Sequence, residues 1–163
     1  ATVSIFGIAL LQYCSAQTDK RKERSLQLVQ EWVQDDFPEK ISRVNFFVEA
    51  RVEESRKRLS EVPVAAIARA RANATEKIFT DLVQPLDSQS RDVRSDLDSL
   101  FLFFARAEIC ISANICDPEV LKAYFGIEAS SLYRSFSPFI QGMRERGYED
   151  YAKRGSILAD FQD

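Results

Sequence analysis

The chain contains no histidine. That removes the commonest general base at neutral pH and the commonest metal ligand together. A serine or cysteine nucleophile activated by an imidazole cannot be assembled within it. Carboxylates, lysine, tyrosine and thiols remain. The carboxylates pair at Asp35/Asp36, Glu53/Glu54, Asp96/Asp98 and Glu149/Asp150. Adjacent residues on a helix point apart, so a shared proton is not set up, and none of the pairs has the Glu-x-x-His form of a di-iron bundle. The five glycines are scattered, without the spacing that cradles a phosphate. These carboxylates read as solvated helix faces. No catalytic residue, metal ligand or cofactor is assigned, and the expectation is a protein that is not an enzyme.

The thiols are Cys14, Cys110 and Cys116. The last two lie six apart, which is not zinc-ligand spacing, and stand in apolar surroundings. A buried, reduced cysteine of cytosolic type is the reading favoured over a disulfide. Cys14 reads as a spectator rather than an acylation site.

The elements that position these groups all read as helix. Hydrophobic residues make up 45% of the 163, enough for one domain with a real core. Few glycines and prolines argue against a loop-rich or all-β chain. A net charge of −3, from 22 basic and 25 acidic residues, gives no reason to expect a nucleic-acid partner. Leu26, Val29 and Val33 share a face, and Asp36-Phe37-Pro38 breaks it. Ile41, Val44, Val48, Val52, Ser55 and Leu59 make a stripe that predicts a helix from about Pro38 to Glu61. The next helix starts at Pro63 and runs to about Val83, with Ile67, Ala70, Ala74, Ile78 and Leu82 inward. Asn73-Ala74-Thr75 is a glycosylation sequon by coincidence, since it falls mid-helix. Residues 84–90 are a loop. Residues 91–113, apolar over most of their circumference, predict the central helix of a bundle. Asp117-Pro118 starts a short helix that Gly126 caps. Another follows from about Ala129 to Arg146, and Pro138 should kink or divide it. The tail 148–163 keeps Tyr151, Ile157, Leu158 and Phe161 and is expected to be partly ordered against the domain.

Residues 1–16 carry no charge and run into Asp19-Lys20-Arg21-Lys22-Glu23-Arg24. A soluble core helix, a signal peptide and a membrane anchor compete for this segment. The signal peptide lacks its basic leader, and a core helix at a chain end has nothing to surround it. The anchor is favoured. It is short of the roughly 20 residues that span a bilayer, so the chain is expected to begin before Ala1. Ile5, Phe6, Ile8, Leu10, Leu11 and Tyr13 are the anchor residues, and Lys20, Arg21, Lys22 and Arg24 the membrane-surface cations that put the rest in the cytoplasm. Attraction to anionic lipid is a further use of those cations, set against a plain topology signal.

Within the aromatic helix, Arg106 and Glu108 read as a narrow outward face, with a partner contact or buried network as the alternative. The phenylalanine-rich cluster reads as core, with a pocket for a hydrophobic ligand as the rarer option. Phe101, Phe104, Arg106, Glu108, Tyr124 and Phe125 are the candidate partner or pocket residues.

The stretches ERSLQLVQEW, LDSLFLFFARAEICISANICDPEVLKAYFG and SFSPFI, behind an apolar segment and a basic run, resemble a broad bacterial family of membrane-tethered helical proteins of unknown function. The resemblance implies a fold and a tether and carries over no catalytic residue. The expected architecture is all-α, an N-terminal transmembrane helix followed by a four- to five-helix bundle. The anchor occupies 1–18, the bundle 19–147 and the tail 148–163. The expected role is a non-enzymatic accessory or scaffolding subunit of a larger membrane protein complex, single-pass in the inner membrane. The sequence also admits self-association. A tethered sensor or defence-type effector with a small ligand is the runner-up, and an enzyme built on carboxylates or Cys110 comes third.

Overall fold

The computed structural model describes the backbone of residues 2–59, 63, 66–153, 155 and 158. It describes their side chains for all but 2–11, 71 and 72. Among the described residues there are six helices and no strand: α1 (Thr2–Gln34), α2 (Phe37–Leu59), α3 (Ile67–Val83), α4 (Ser88–Ser112), α5 (Pro118–Ser135) and α6 (Ser137–Glu145).

The first difference from expectation is at the start. The apolar segment, the basic run and the stretch to Gln34 form one 33-residue helix, about 50 Å long at 1.5 Å per residue. No glycine-proline pair or capping residue separates a tether from a bundle helix. The transmembrane part of the expectation finds no support: among the described residues, no helix is long and apolar enough to cross a membrane. The side chains of Ile5, Phe6, Ile8, Leu10 and Leu11 lie outside the described residues.

The α1–α2 junction is a tight corner. Asp36 takes a left-handed conformation (φ 56°), and Phe37 folds under to stack on Trp32, ring centroids 5.0 Å apart. α2 then packs on α4 through Val44 and Phe47, both buried. The expected boundary between Glu61 and Pro63 falls among residues 60–65, of which only Pro63 is described. Ala66 donates to the Pro63 carbonyl (2.8 Å), and α3 begins at Ile67.

α4 is the centre. It contacts α2, α3 and α5, and Val93, Leu97, Leu100, Phe101, Phe103, Phe104 and Ala107 are buried along it. Its remaining face is open, with Leu102 and Ile109 exposed. Asp87 begins the helix by accepting from the Ser90 amide (2.6 Å), which satisfies a backbone donor that has no helical partner.

Gly126 is not a cap. α5 runs through it to Ser135, and the Leu158 carbonyl of the tail lies 3.8 Å from where a Cβ would stand. The residue leaves a smooth place for the returning chain. Pro138 does divide the next segment. α5 ends at Ser135 and α6 starts at Ser137, with the proline in its first turn, where a missing N–H costs nothing. Phe139, Ile140 and Met143 point from α6 into the core. The tail returns over α4: Tyr151 meets Phe101 and Phe139 edge-on, and Leu158 is buried. Ile157 and Phe161 lie outside the described residues.

Candidate interaction site: the exposed turns of α1 and their socket

Every side chain from Gln12 to Lys20 is exposed. Those nine residues cover about 13 Å of helix, and none has found a neighbour in the bundle. Tyr13 accepts only from Gln17, one turn on (3.1 Å), and Cys14 is a free, exposed thiol. The bundle starts at Arg21.

What receives α1 is the turn between α4 and α5. After Ser112 the chain reverses through Asn114, which is left-handed (φ 59°). The amides of Ile115 and Cys116 both turn back onto the Cys110 carbonyl (2.9 and 3.0 Å). This winding brings Cys116 beside Cys110, Cα atoms 5.2 Å apart, and the two form a disulfide. The expectation of reduced cysteines is therefore corrected. Spacing along a regular helix would hold residues six apart on different faces, but Cys116 is past the helix end and the turn carries it back. Asp117 then caps α5, accepting from the Glu119 and Val120 amides (3.0 and 3.3 Å).

α1 binds this turn through polar contacts made across more than ninety residues of sequence. The Arg21 guanidinium donates to the Cys116 carbonyl (3.4 and 3.3 Å). The Asp117 amide donates to the Ser25 hydroxyl (2.8 Å). The serine's own proton has the carbonyls of Arg21 (3.0 Å) and Asp117 (3.3 Å) within reach. Ser25 is fully buried, so these bonds satisfy a hydroxyl that has no water. One and two turns further on, Leu28 and Trp32 are buried. Trp32 lies 4.9 to 5.5 Å from the rings of Phe103, Phe104 and Phe125.

The sequence-assigned cations thus divide. Lys20, Lys22 and Arg24 are exposed, with Arg24 donating to Gln27 (2.9 Å), whereas Arg21 turns into the bundle. Of the candidate partner or pocket residues, Phe101, Phe104 and Phe125 are packed core. Tyr124 is half-exposed on α5. Arg106 is at the surface, paired with Glu31 of α1 (2.8 Å). Glu108 accepts from the Gly155 amide and so fastens the tail. Gly155 sits at φ +96°, and a Cβ there would come within 2.5 Å of the Tyr133 hydroxyl and 2.8 Å of Phe104, which only glycine avoids.

A cleft of about 910 Å³ opens between α4, α6 and the tail, lined among others by Arg94, Asp98, Phe101, Glu108, Tyr148 and Tyr151. Its polar walls bind one another. Arg94 donates to both Asp98 oxygens (3.0 Å) and to the carbonyls of Leu82 and Val83 (3.3 and 3.4 Å). The Tyr151 hydroxyl donates to Asp98. Burial, with the Asp98 carboxylate beside it, pushes that phenol well above its ordinary value, so it remains a donor at neutral pH. The network closes α3, α4 and the tail together.

Sequence reasoning missed Ser25, Glu31, Asp96 with its partner Arg43, and the Arg94–Asp98–Tyr151 network. All but the i,i+4 pair Arg94–Asp98 depend on a contact between elements distant in sequence, and no local pattern announces those.

The chain belongs to the DUF4760 family, a domain of unknown function, which it matches over residues 1–159. No curated protein and no solved structure matches it.

Proposed function

We propose that this DUF4760 protein is a non-enzymatic accessory or scaffolding subunit, tethered to the inner membrane by the N-terminal half of α1 and bound to a larger membrane protein complex. The observation that carries the reading is the continuity of α1. Residues 2–16, all uncharged, share one continuous helix with Trp32, so whatever surrounds the first half is coupled mechanically to the aromatic core. The exposed turns 12–20 separate the two parts. Tyr13 stands where an interfacial aromatic anchors, and Lys20, Lys22 and Arg24 follow it and favour a cytoplasmic bundle. The absence of histidine from the sequence supports a binding role.

The test is fractionation of cells expressing the whole chain, with and without residues 1–18. The whole chain is expected in alkali-resistant membrane pellets together with the same membrane proteins in repeated purifications. The shortened chain is expected in the soluble fraction without them. A whole chain extracted by alkali, or an association that survives the deletion, overturns the reading.

A second reading has one observation in its favour. The cleft beside Phe101 and Tyr151 has the volume of a small-ligand site, which fits a tethered sensor. A bound small molecule released from the purified protein on denaturation would support it.

A further inference from the structure

We propose that the Cys110–Cys116 disulfide is a thiol–disulfide switch that controls how firmly α1 is seated on the bundle. The argument rests on the position of the bond, not on the presence of cysteines. Cys116 is the residue whose carbonyl receives Arg21, and its neighbour Asp117 exchanges hydrogen bonds with Ser25. These are the first two bundle contacts of α1 as it enters from its exposed turns. The disulfide joins that receiving residue to the last full turn of α4. The socket is therefore tied covalently to the central helix while the bond is closed. When it is open, no covalent tie remains, and the backbone hydrogen bonds of the turn, the Asp117 cap and the burial of Cys116 hold it.

The two residues are unequally buried. Cys116 is buried, whereas Cys110 is partly exposed. An entering thiolate from a dithiol reaches Cys110 and forms a mixed disulfide with its sulfur. The S–S bond breaks, and its electron pair leaves on the Cys116 sulfur, which takes up a proton. The second thiol of the reductant then attacks its own mixed sulfur and releases the Cys110 thiolate, which is protonated in turn. Two protein thiols and one oxidised dithiol result, and the reverse exchange with a disulfide closes the bond again. In a cytoplasmic bundle such a bond is of the reversible, sensing kind rather than a permanent staple. The reversibility of the bond rests on the cytoplasmic placement proposed above, whereas its coupling to α1 does not depend on a bilayer around residues 1–16, so failure of the switch and failure of the tether are separate results.

The experiment is amide hydrogen exchange on the full chain in detergent, in a Cys14→Ala background so that the exposed thiol forms no cross-links. The oxidised protein is compared with the same protein in dithiothreitol, and with Cys110→Ser in both conditions. Reduction is expected to speed exchange at least about fivefold in peptides covering 21–29 and 111–121, leaving α2 and α3 unchanged. Cys110→Ser is expected to show the fast rates without dithiothreitol and no further response to it. Equal rates at 21–29 in the two redox states overturn the proposal. So does acceleration spread evenly over all helices, or a Cys110→Ser protein that still responds. If the serine variant does not fold, the wild-type comparison decides alone.

Discussion

Among the described residues Asp96 is the one buried carboxylate, and Arg43 of α2 reaches over to grip both its oxygens (2.9 and 2.8 Å). Asp96 in turn holds the guanidinium above its ordinary pKa. Because half of the Arg43 side chain stays in water, the pair is worth less than a fully buried one. Arg43→Ala should cost about 1–2 kcal/mol, most of it from leaving a shielded carboxylate unpaired. Urea melts of Arg43→Ala, Asp96→Asn and the double variant check this, and strict additivity in the cycle would show that the two do not interact. Asp87 behaves differently. The Ser90 amide, with Arg51 adding attraction, holds its carboxyl below the ordinary range. A depressed folded-state value means that its stabilisation is present above the unfolded value of about 3.9 and is lost as pH falls through the folded value. Wild type should therefore melt higher than Asp87→Ala at pH 6, and the gap should close in melts taken below pH 4. A gap that widens in acid would contradict the sign. Neither residue was legible as special in the sequence. Asp96 looked like half of a solvated pair, because only the folded contact shows that Arg43, fifty-three positions earlier, stands opposite.

At the scale of the element, periodicity and punctuation went far. The inward face of α3, the centrality of α4, the Asp117-Pro118 start of α5 and the break at Pro138 all follow from local physics, whereas on α2 Val52 is exposed and Phe47, beside the expected stripe, is buried. The errors have one cause, which is that a tertiary contact changes what a residue signals. Gly126 reads as a left-handed cap, yet α5 continues through it, at a cost of about 1 kcal/mol relative to alanine that the packing of α5 outweighs. Arg21 reads as one cation of a uniform basic run, yet it alone of the four turns into the bundle and docks on the Cys116 carbonyl. The cysteines read as reduced from their apolar surroundings, because spacing alone does not show that the turn at Asn114 brings Cys116 back beside Cys110. α1 shows the same principle in energy. Trp32 is buried among Phe37, Phe103, Phe104 and Phe125, while the next residue, Val33, is exposed. Trp32→Ala should lose about 3–5 kcal/mol, and Val33→Ala should stay within about 0.5 kcal/mol. Urea titrations followed by circular dichroism at 222 nm compare them directly. Similar losses at the two positions would mean that α1 does not pack as described.

The molecule as a whole is a bundle carried on a rod, and its two parts meet over a short length. The described contacts of α1 with the bundle begin at Arg21 and are strongest at Ser25, Leu28 and Trp32. The side chains from Gln12 to Lys20 are exposed. Stability should therefore be divided unevenly along one unbroken helix. Removing residues 1–18 takes away the apolar segment and no described bundle contact, so the melting temperature of 19–163 should lie within about 2 °C of the whole chain, a shift well under 1 kcal/mol for a domain of this size. Emission from the single tryptophan should be unchanged, because Trp32 keeps all its ring neighbours. Removing residues 1–27 also strips Arg21 and Ser25. It leaves the Asp117 amide and the Cys116 carbonyl without their partners in a half-closed site, and should lower the melting temperature by about 4–8 °C. Calorimetry of the three lengths distinguishes a rod that is merely attached from one that is part of the core. A large drop already at residue 18 would move the seat of α1 toward its N-terminus, whereas no drop at residue 27 would leave the Arg21 and Ser25 contacts without energetic weight.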